Sequence, residues 1–252
     1  MTRYYAIGDV HGDLAQLTEA HRRIQQDLAT FPTEEYKVIH IGDLVDRRED
    51  SRGVLNFLIE GLEKGEPWIV LKGNHDRLFQ WFLEDPYRAD GRLRSDYSWL
   101  HERMGGTETL TSYGVYVSKD YDLDELHIAA CDAVPIEHKK FLSDLPLSFE
   151  TEDFFFCHAG IRPGVPLAKE TEEDLLWMRG EFHAFKEPHP KIIVHGHTPI
   201  DRVTHYGNRI NIDTGAAWGK LLSTVFLEGS SLFLLDGLER HLVTATADQK
   251  TG

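Results

Sequence analysis

Short apolar runs that stop at a glycine and a polar residue, separated by helical periodicity, constrain this chain more than any other feature. Residues 4–7 and 36–41 each run into Gly-Asp, and residues 67–71 run into Lys-Gly-Asn. Runs this short and this continuously apolar suit strands buried on both faces. Between the first two, Leu14, Leu17, Ala20, Ile24 and Leu28 recur at helical spacing behind Asp13, a residue type that caps helices. Ser51 similarly precedes Val54, Leu55, Leu58 and Leu62. The resulting β-α-β-α-β order sets parallel strands side by side under helices and gathers their C-terminal ends into one ligand-binding crevice.

Beyond residue 84 the periodicity weakens. Asp85-Pro86, Asp90-Gly91 and Gly105-Gly106 break residues 84–112 into an irregular insertion, with a short helix expected near 97–104. Residues 123–145 read as helical apart from a break at Pro135, and strands are expected again at 154–157, 191–194, 209–212, 221–227 and 232–235. These later strands predict a second sheet packed on the first. An α/β chain of 252 residues is long enough for one large core, so a single domain over 1–252 is expected, with a frayed tail at 244–252.

No stretch approaches the roughly 20 apolar residues of a membrane-spanning helix, and the first residues run straight into a strand pattern, so the expected location is cytoplasmic. Cys131 and Cys157 are too few and too far apart for a disulfide framework, which fits a reducing compartment. A formal charge of -15 argues against a nucleic-acid partner, whose phosphates call for lysine and arginine. The same charge means that any phosphate chemistry here needs a local positive charge from elsewhere, which bound cations supply.

Five polar clusters sit where strands end: Gly8-Asp9-Val10-His11-Gly12, Gly42-Asp43-Leu44-Val45-Asp46-Arg47, Gly73-Asn74-His75-Asp76, His158-Ala159-Gly160 and Gly196-His197-Thr198-Pro199. One Gly-Asp pair after a strand is ordinarily a turn. Five in series, all at the mouth of a parallel sheet, are not explained that way. This ordered set resembles the calcineurin-like metallophosphoesterases, and within them the phosphoprotein phosphatase branch that includes bacterial and phage-type serine/threonine phosphatases and symmetrical diadenosine tetraphosphatases. The likeness runs from about residue 4 to 227 and extends to Trp99 with Gly105-Gly106, to Ser112-Tyr113-Gly114, to residues 174–179 and to Asp213-Thr214-Gly215-Ala216.

The resemblance implies two packed mixed β-sheets flanked by helices, and a site for two divalent metal ions. It implies Asp9 and His11 on the first ion, Asn74, His158 and His197 on the second, and Asp43 bridging both. Oxygen and imidazole donors without thiolate suit manganese, iron or zinc, and two carboxylates against two dications leave the centre net cationic. Two such ions about 3.5–4 Å apart activate a shared water for in-line attack on phosphorus. No serine or cysteine nucleophile is then required, and Cys157 reads as a small strand residue. The resemblance also implies His75 as general acid, oriented and kept protonated by Asp46, with Arg47 and Arg179 clamping the nonbridging oxygens.

The remaining histidines read more plainly. His40 faces the core or backs the site, His195 points to the same side as His197, and the others are packing or surface residues; Arg48, Arg52 and Arg77 read as solvated charge. Two departures from the family pattern stand out: Arg48 where glycine is usual, and Pro199 where many relatives outside the phosphatase branch carry a further histidine. The expected substrate is a phosphoprotein or a small phosphorylated molecule. Serine/threonine protein phosphatase is the first reading, favoured by Asp46. Symmetrical hydrolysis of diadenosine tetraphosphate is the alternative, favoured by Asp76 where protein phosphatases carry glutamate. A non-catalytic phosphoprotein-binding module is a third, opposed by the completeness of the ligand set.

Overall fold

The computed structural model describes residues 2–229, 231–237 and 239–246. The expected unit is present as β1 (Arg3–Ile7), α1 (Leu14–Thr30), β2 (Tyr36–His40), α2 (Ser51–Glu63) and β3 (Trp68–Val70), its strands all parallel. Asp13 caps α1 by accepting from the Gln16 amide. The cap of α2 is Asp50, which accepts from the Gly53 amide, and not the Ser51 that follows it. A carboxylate suits the positive end of a helix, and Ser51 is drawn inward to the Asp46 amide and the Thr109 hydroxyl.

The insertion differs from expectation in detail. After α3 (Asn74–Glu84), residues 97–104 form turns, and the short helix comes later as α4 (Gly106–Ser112), entered through Gly105 at φ +83°. Packing explains the shift: the Trp99 ring stacks on Phe79 and lies against Phe82 of α3, which holds that stretch flat on the helix. Arg77, read from sequence as solvated, is 2% exposed and donates to Asp90 in the insertion and to Glu173. It ties α3 to two other segments. The helices α5 (Leu123–Ala133) and α6 (Ile136–Asp144) meet at Pro135 as the sequence predicts.

The second sheet is built from β4 (Ser148–Glu150), β5 (Phe154–Cys157), β6 (Ile192–His195), β7 (Thr204–His205) and β8 (Arg209–Asn211), in the order β4-β5-β6-β8-β7. Its outer face carries α7 (Glu172–Trp177) and α8 (Gly180–Ala184). The last strands, β9 (Thr224–Glu228), β10 (Ser231–Asp236) and β11 (Glu239–Leu242), correct the sequence reading. They return to the first sheet, whose order is β11-β10-β9-β1-β2-β3. Without β9, β1 would present an open apolar edge; with it, Tyr5 pairs across from Phe226 and Arg3 reaches Glu228.

Strand alternation then fixes four layers. Tyr5, Ile7, Val38 and Val70 face Leu17, Ile24, Val54 and Leu58 of the helices. Ala6, Ile39 and Ile41 face Phe156, Val194 and Ile210 across the sheet-sheet interface. Phe155 and Ile193 pack outward on Leu175 and Phe182. His40 joins the helix-side core, its Nε2 at 3.0 Å from Nε2 of His21, with Trp68 against both rings. His195 packs on Phe182 and meets Arg209 on the outer face of the second sheet. At the far end, the Thr246 amide donates to the His205 carbonyl; the rest of the tail expected to fray lies outside the described residues.

Candidate metal centre

Each candidate ligand follows a strand end: Asp9 and His11 after β1, Asp43 after β2, Asn74 after β3, His158 after β5 and His197 after β6. Both sheets therefore contribute. The turns that deliver these side chains are strained. Among the described residues the non-glycine positions with positive φ are His11 at 49°, Asp43 at 50°, Asp46 at 74°, Arg47 at 71° and His197 at 64°, all of them candidate site residues. Such conformations cost about 1–3 kcal/mol each and persist where surrounding structure enforces them. Glycine is needed where the loops touch: a Cβ on Gly73 would stand 2.1 Å from the Asp43 amide nitrogen, and one on Gly196 2.1 Å from an Asp9 carboxylate oxygen.

Two groups of donor atoms result, one of His11, Asp43 and His75 and one of Asp43, His158 and His197, all buried. Asp43 belongs to both, as a bridging ligand must. His11 Nδ1 donates to the Val45 carbonyl and His158 Nδ1 to the Ile41 carbonyl, each at 3.0 Å, so each ring turns Nε2 toward the centre. Asn74 Oδ1 lies 3.0 Å from His158 Nε2, and His197 Nδ1 lies 3.2 Å from it. Asp9 Oδ2 accepts from the His197 amide, while Asp9 Oδ1 is buried without a protein partner.

The electrostatics are those of a cation site. Burial, then Asp213 and Asp43, push Asp9 well above the usual carboxylate range. Burial acts on Asp43 in the same sense, yet His158, His75 and His11 together hold it well below that range. Burial alone would lower His158, but Asp43 and Asp9 raise it to about 9. Carboxylate, amide and imidazole donors converging in a buried pocket, with one carboxylate oxygen orphaned, are what divalent ions satisfy, and the donor set is hard-to-intermediate. The residues fit a dinuclear centre. Bound ions there supply Lewis-acid polarisation of phosphoryl oxygens and a water acidic enough to be deprotonated near neutrality.

Around this centre stand the groups expected to handle the substrate. Arg47 places Nη1 at 2.8 Å from His11 Nε2 and Nη2 at 2.9 Å from His75 Nε2. His75 Nδ1 donates to Asp46 Oδ2 at 2.7 Å. Trp99 Nε1 donates to the same oxygen and the Thr109 hydroxyl to the other. Three donors on a fully buried Asp46 are the arrangement of an ionised carboxylate, although burial by itself pushes its pKa well up. Arg179 is exposed; desolvation, against the pull of Asp43 and with Arg47 alongside, lowers its guanidinium from the usual value, and it makes no side-chain hydrogen bond or ion pair with the other candidates among the described residues.

One expectation needs correction. Asp46 does not keep His75 protonated, because burial, with Arg47 alongside and against the pull of Asp43, pushes His75 down to about 3. Geometry agrees: a guanidinium N–H points at Nε2, which must therefore carry a lone pair. Cys157 is inert, its thiol pushed up by burial. Thr109 and Ser51 were not identified from sequence, since nothing local marks an insertion threonine as the partner of a carboxylate 63 positions earlier. Asp76 does more than start a helix, its two oxygens receiving the Gly73 and Leu44 amides and so clamping two ligand loops together.

Fold and donor set together define a metal-dependent phosphoesterase with a two-ion site. Residues 2–215 match the calcineurin-like phosphoesterase family, and the chain belongs to it. It is 25% identical over 240 residues to the asymmetrical bis(5'-nucleosyl)-tetraphosphatase PrpE of Bacillus cereus, covering 88% of this chain and 89% of that one. A crystal structure assigned provisionally to a diadenosine tetraphosphatase superposes with a TM-score of 0.62 at 21% identity, covering 93% of each chain. The cold-active protein-tyrosine phosphatase of a Shewanella species superposes with a TM-score of 0.63 at 17% identity, over 96% of this chain and 80% of that one.

Proposed function

We propose that this protein hydrolyses dinucleoside tetraphosphates asymmetrically, releasing a nucleoside triphosphate and a nucleoside monophosphate. The observation that carries this reading is the likeness to asymmetrical tetraphosphatases over 88% of this chain and 89% of the relative. A cleft of about 740 Å³ opens beside Arg47 and Arg48, but Asp13, Glu49, Asp50 and Glu108 also line it, so its charge does not by itself favour a phosphate chain. The sequence reading ranked phosphoproteins first and symmetrical cleavage second; the named relatives favour a nucleotide substrate and the asymmetrical outcome.

In this reading Asp9, His11, Asp43, Asn74, His158 and His197 hold two ions, manganese, iron or zinc by donor chemistry. Arg47 and Arg179 bind nonbridging oxygens. Arg47 leaving His75 for phosphate frees the Nε2 lone pair to take up a proton from water, and that proton passes to the departing oxygen. Water oxygen bonds to phosphorus, the bridging P–O bond breaks, and the electron pair leaves with the nucleotide. The test offers diadenosine tetraphosphate and a phosphoserine peptide in parallel to manganese-loaded protein, with products identified. ATP and AMP are expected; ADP alone would mean symmetrical cleavage, and turnover of the peptide alone would overturn the proposal.

One observation favours the protein-phosphatase reading as a second. The buried His75–Asp46 pair holds the imidazole where, once Arg47 has left Nε2, it would face a leaving oxygen as basic as a serine alkoxide.

A further inference from the structure

We infer that Trp218 is the stacking platform for the nucleobase of the nucleotide whose phosphate occupies the metal centre, an inference that rests on the nucleotide reading above. Trp218 is 61% exposed, in a protein whose other tryptophans are buried or half-buried. The exposure is not that of a loose loop. Trp218 ends a tight 3-10 turn, Ala216–Trp218, entered and left through Gly215 and Gly219, both at φ +81°. Ala216 and Ala217 are buried beneath it.

The flanks are stapled to the fold. Asp213 accepts from the Gly215 amide, the Thr214 hydroxyl donates to the Leu221 carbonyl, and Gln16 of α1 bonds both the Lys220 carbonyl and the Leu222 amide. A large apolar ring is thus held outward by a rigid mount. Its place is defined by Arg47, whose guanidinium carbon lies 4.8 Å from the indole centroid while its two terminal nitrogens reach His11 and His75.

One guanidinium therefore separates the ring from the atoms of the centre. A group bound by Arg47 through phosphate has its next aromatic moiety within reach of the ring, and a nucleoside monophosphate is the unit of that span. Every base has a π-face, so such a platform tolerates any base and discriminates against phosphates that lack one. The guanidinium on the indole keeps that ring in place by cation–π attraction.

The test compares AMP with ribose 5-phosphate, which differ only in the base, by calorimetric titration of the manganese-loaded protein and its W218L and W218F variants. Wild type is expected to prefer AMP by about tenfold, the scale of one base-aromatic stack. W218L should bring the preference close to one and W218F should retain most of it. A disturbed Arg47 would weaken both ligands alike and leave their ratio, so the ratio isolates the ring. Melting curves and metal content show that the variants are folded and loaded. An AMP preference unchanged in W218L, or absent in wild type, would overturn the inference. Products from diadenosine tetraphosphate are read separately, so an enzyme that cleaves it while W218L keeps the preference refutes the platform alone.

Discussion

At the scale of single residues, His75 is the group whose role the geometry divides most sharply. It belongs to one of the two donor groups and its Nε2 also receives Arg47, so it is either a ligand or a proton carrier. If it carries a proton, H75N should lower kcat by about 10²–10⁴-fold on an alkyl phosphomonoester while the protein keeps its full metal content. The loss should be smaller on a phosphoanhydride, whose leaving oxygen is far less basic. Metal analysis of the variant showing a lost ion would make His75 a ligand instead. Behind it, Thr109 acts only through Asp46, as a positioning residue. T109V should lower kcat several-fold at unchanged KM and T109S should restore it, whereas a structural role alone would move the melting temperature and leave kcat untouched.

At the scale of elements, Arg77 joins α3 to the insertion through Asp90 and to α7 through Glu173. The Asp90 partner is fully buried, so R77M strands a carboxylate, and a loss of about 3–5 kcal/mol is expected in chemical denaturation. Double replacement with D90N should recover much of it. This contact also marks where sequence reading reached its limit. The strand-loop clusters were legible because each carries its chemistry locally: apolar run, glycine, ligand. Arg77 and Thr109 owe their roles to partners from 13 to 96 positions away, and Ser51 joins them through Thr109, 58 positions on, which no local pattern records. The same limit misplaced β9 and β10. Their apolar runs announce strands, but only the pairing of Tyr5 with Phe226 says which sheet receives them. His75 was misjudged for a different reason, since burial of the ring, which no local pattern records, pushes it down against the pull of Asp43.

At the scale of the whole molecule, acid should destabilise this fold through histidines far from the centre. Burial pushes His21 down to about 4, and its partner His40 well below the usual imidazole range. Between roughly pH 4 and the unfolded value of about 6.5 the unfolded chain binds the extra proton. Stability is thus fully present above that window and lost as pH falls through it. H21Q removes the titration at that position, so its loss of stability between pH 8 and pH 5, measured by urea denaturation, should be smaller than that of wild type by about 1–2 kcal/mol.

The late return of the chain to its first sheet has a consequence for how the enzyme comes into being. All six candidate ligands lie between Asp9 and His197, and the family match ends at residue 215, yet β1 lies between β2 and β9, and β9 begins only at Thr224. A polypeptide emerging from the ribosome owns all six candidate ligands before it owns the seam that closes the sheet delivering four of them. A version ending at residue 215 should accordingly purify as a motif-perfect protein that takes up no manganese in equilibrium dialysis, and stoichiometric uptake by it would show that the closing strands are dispensable.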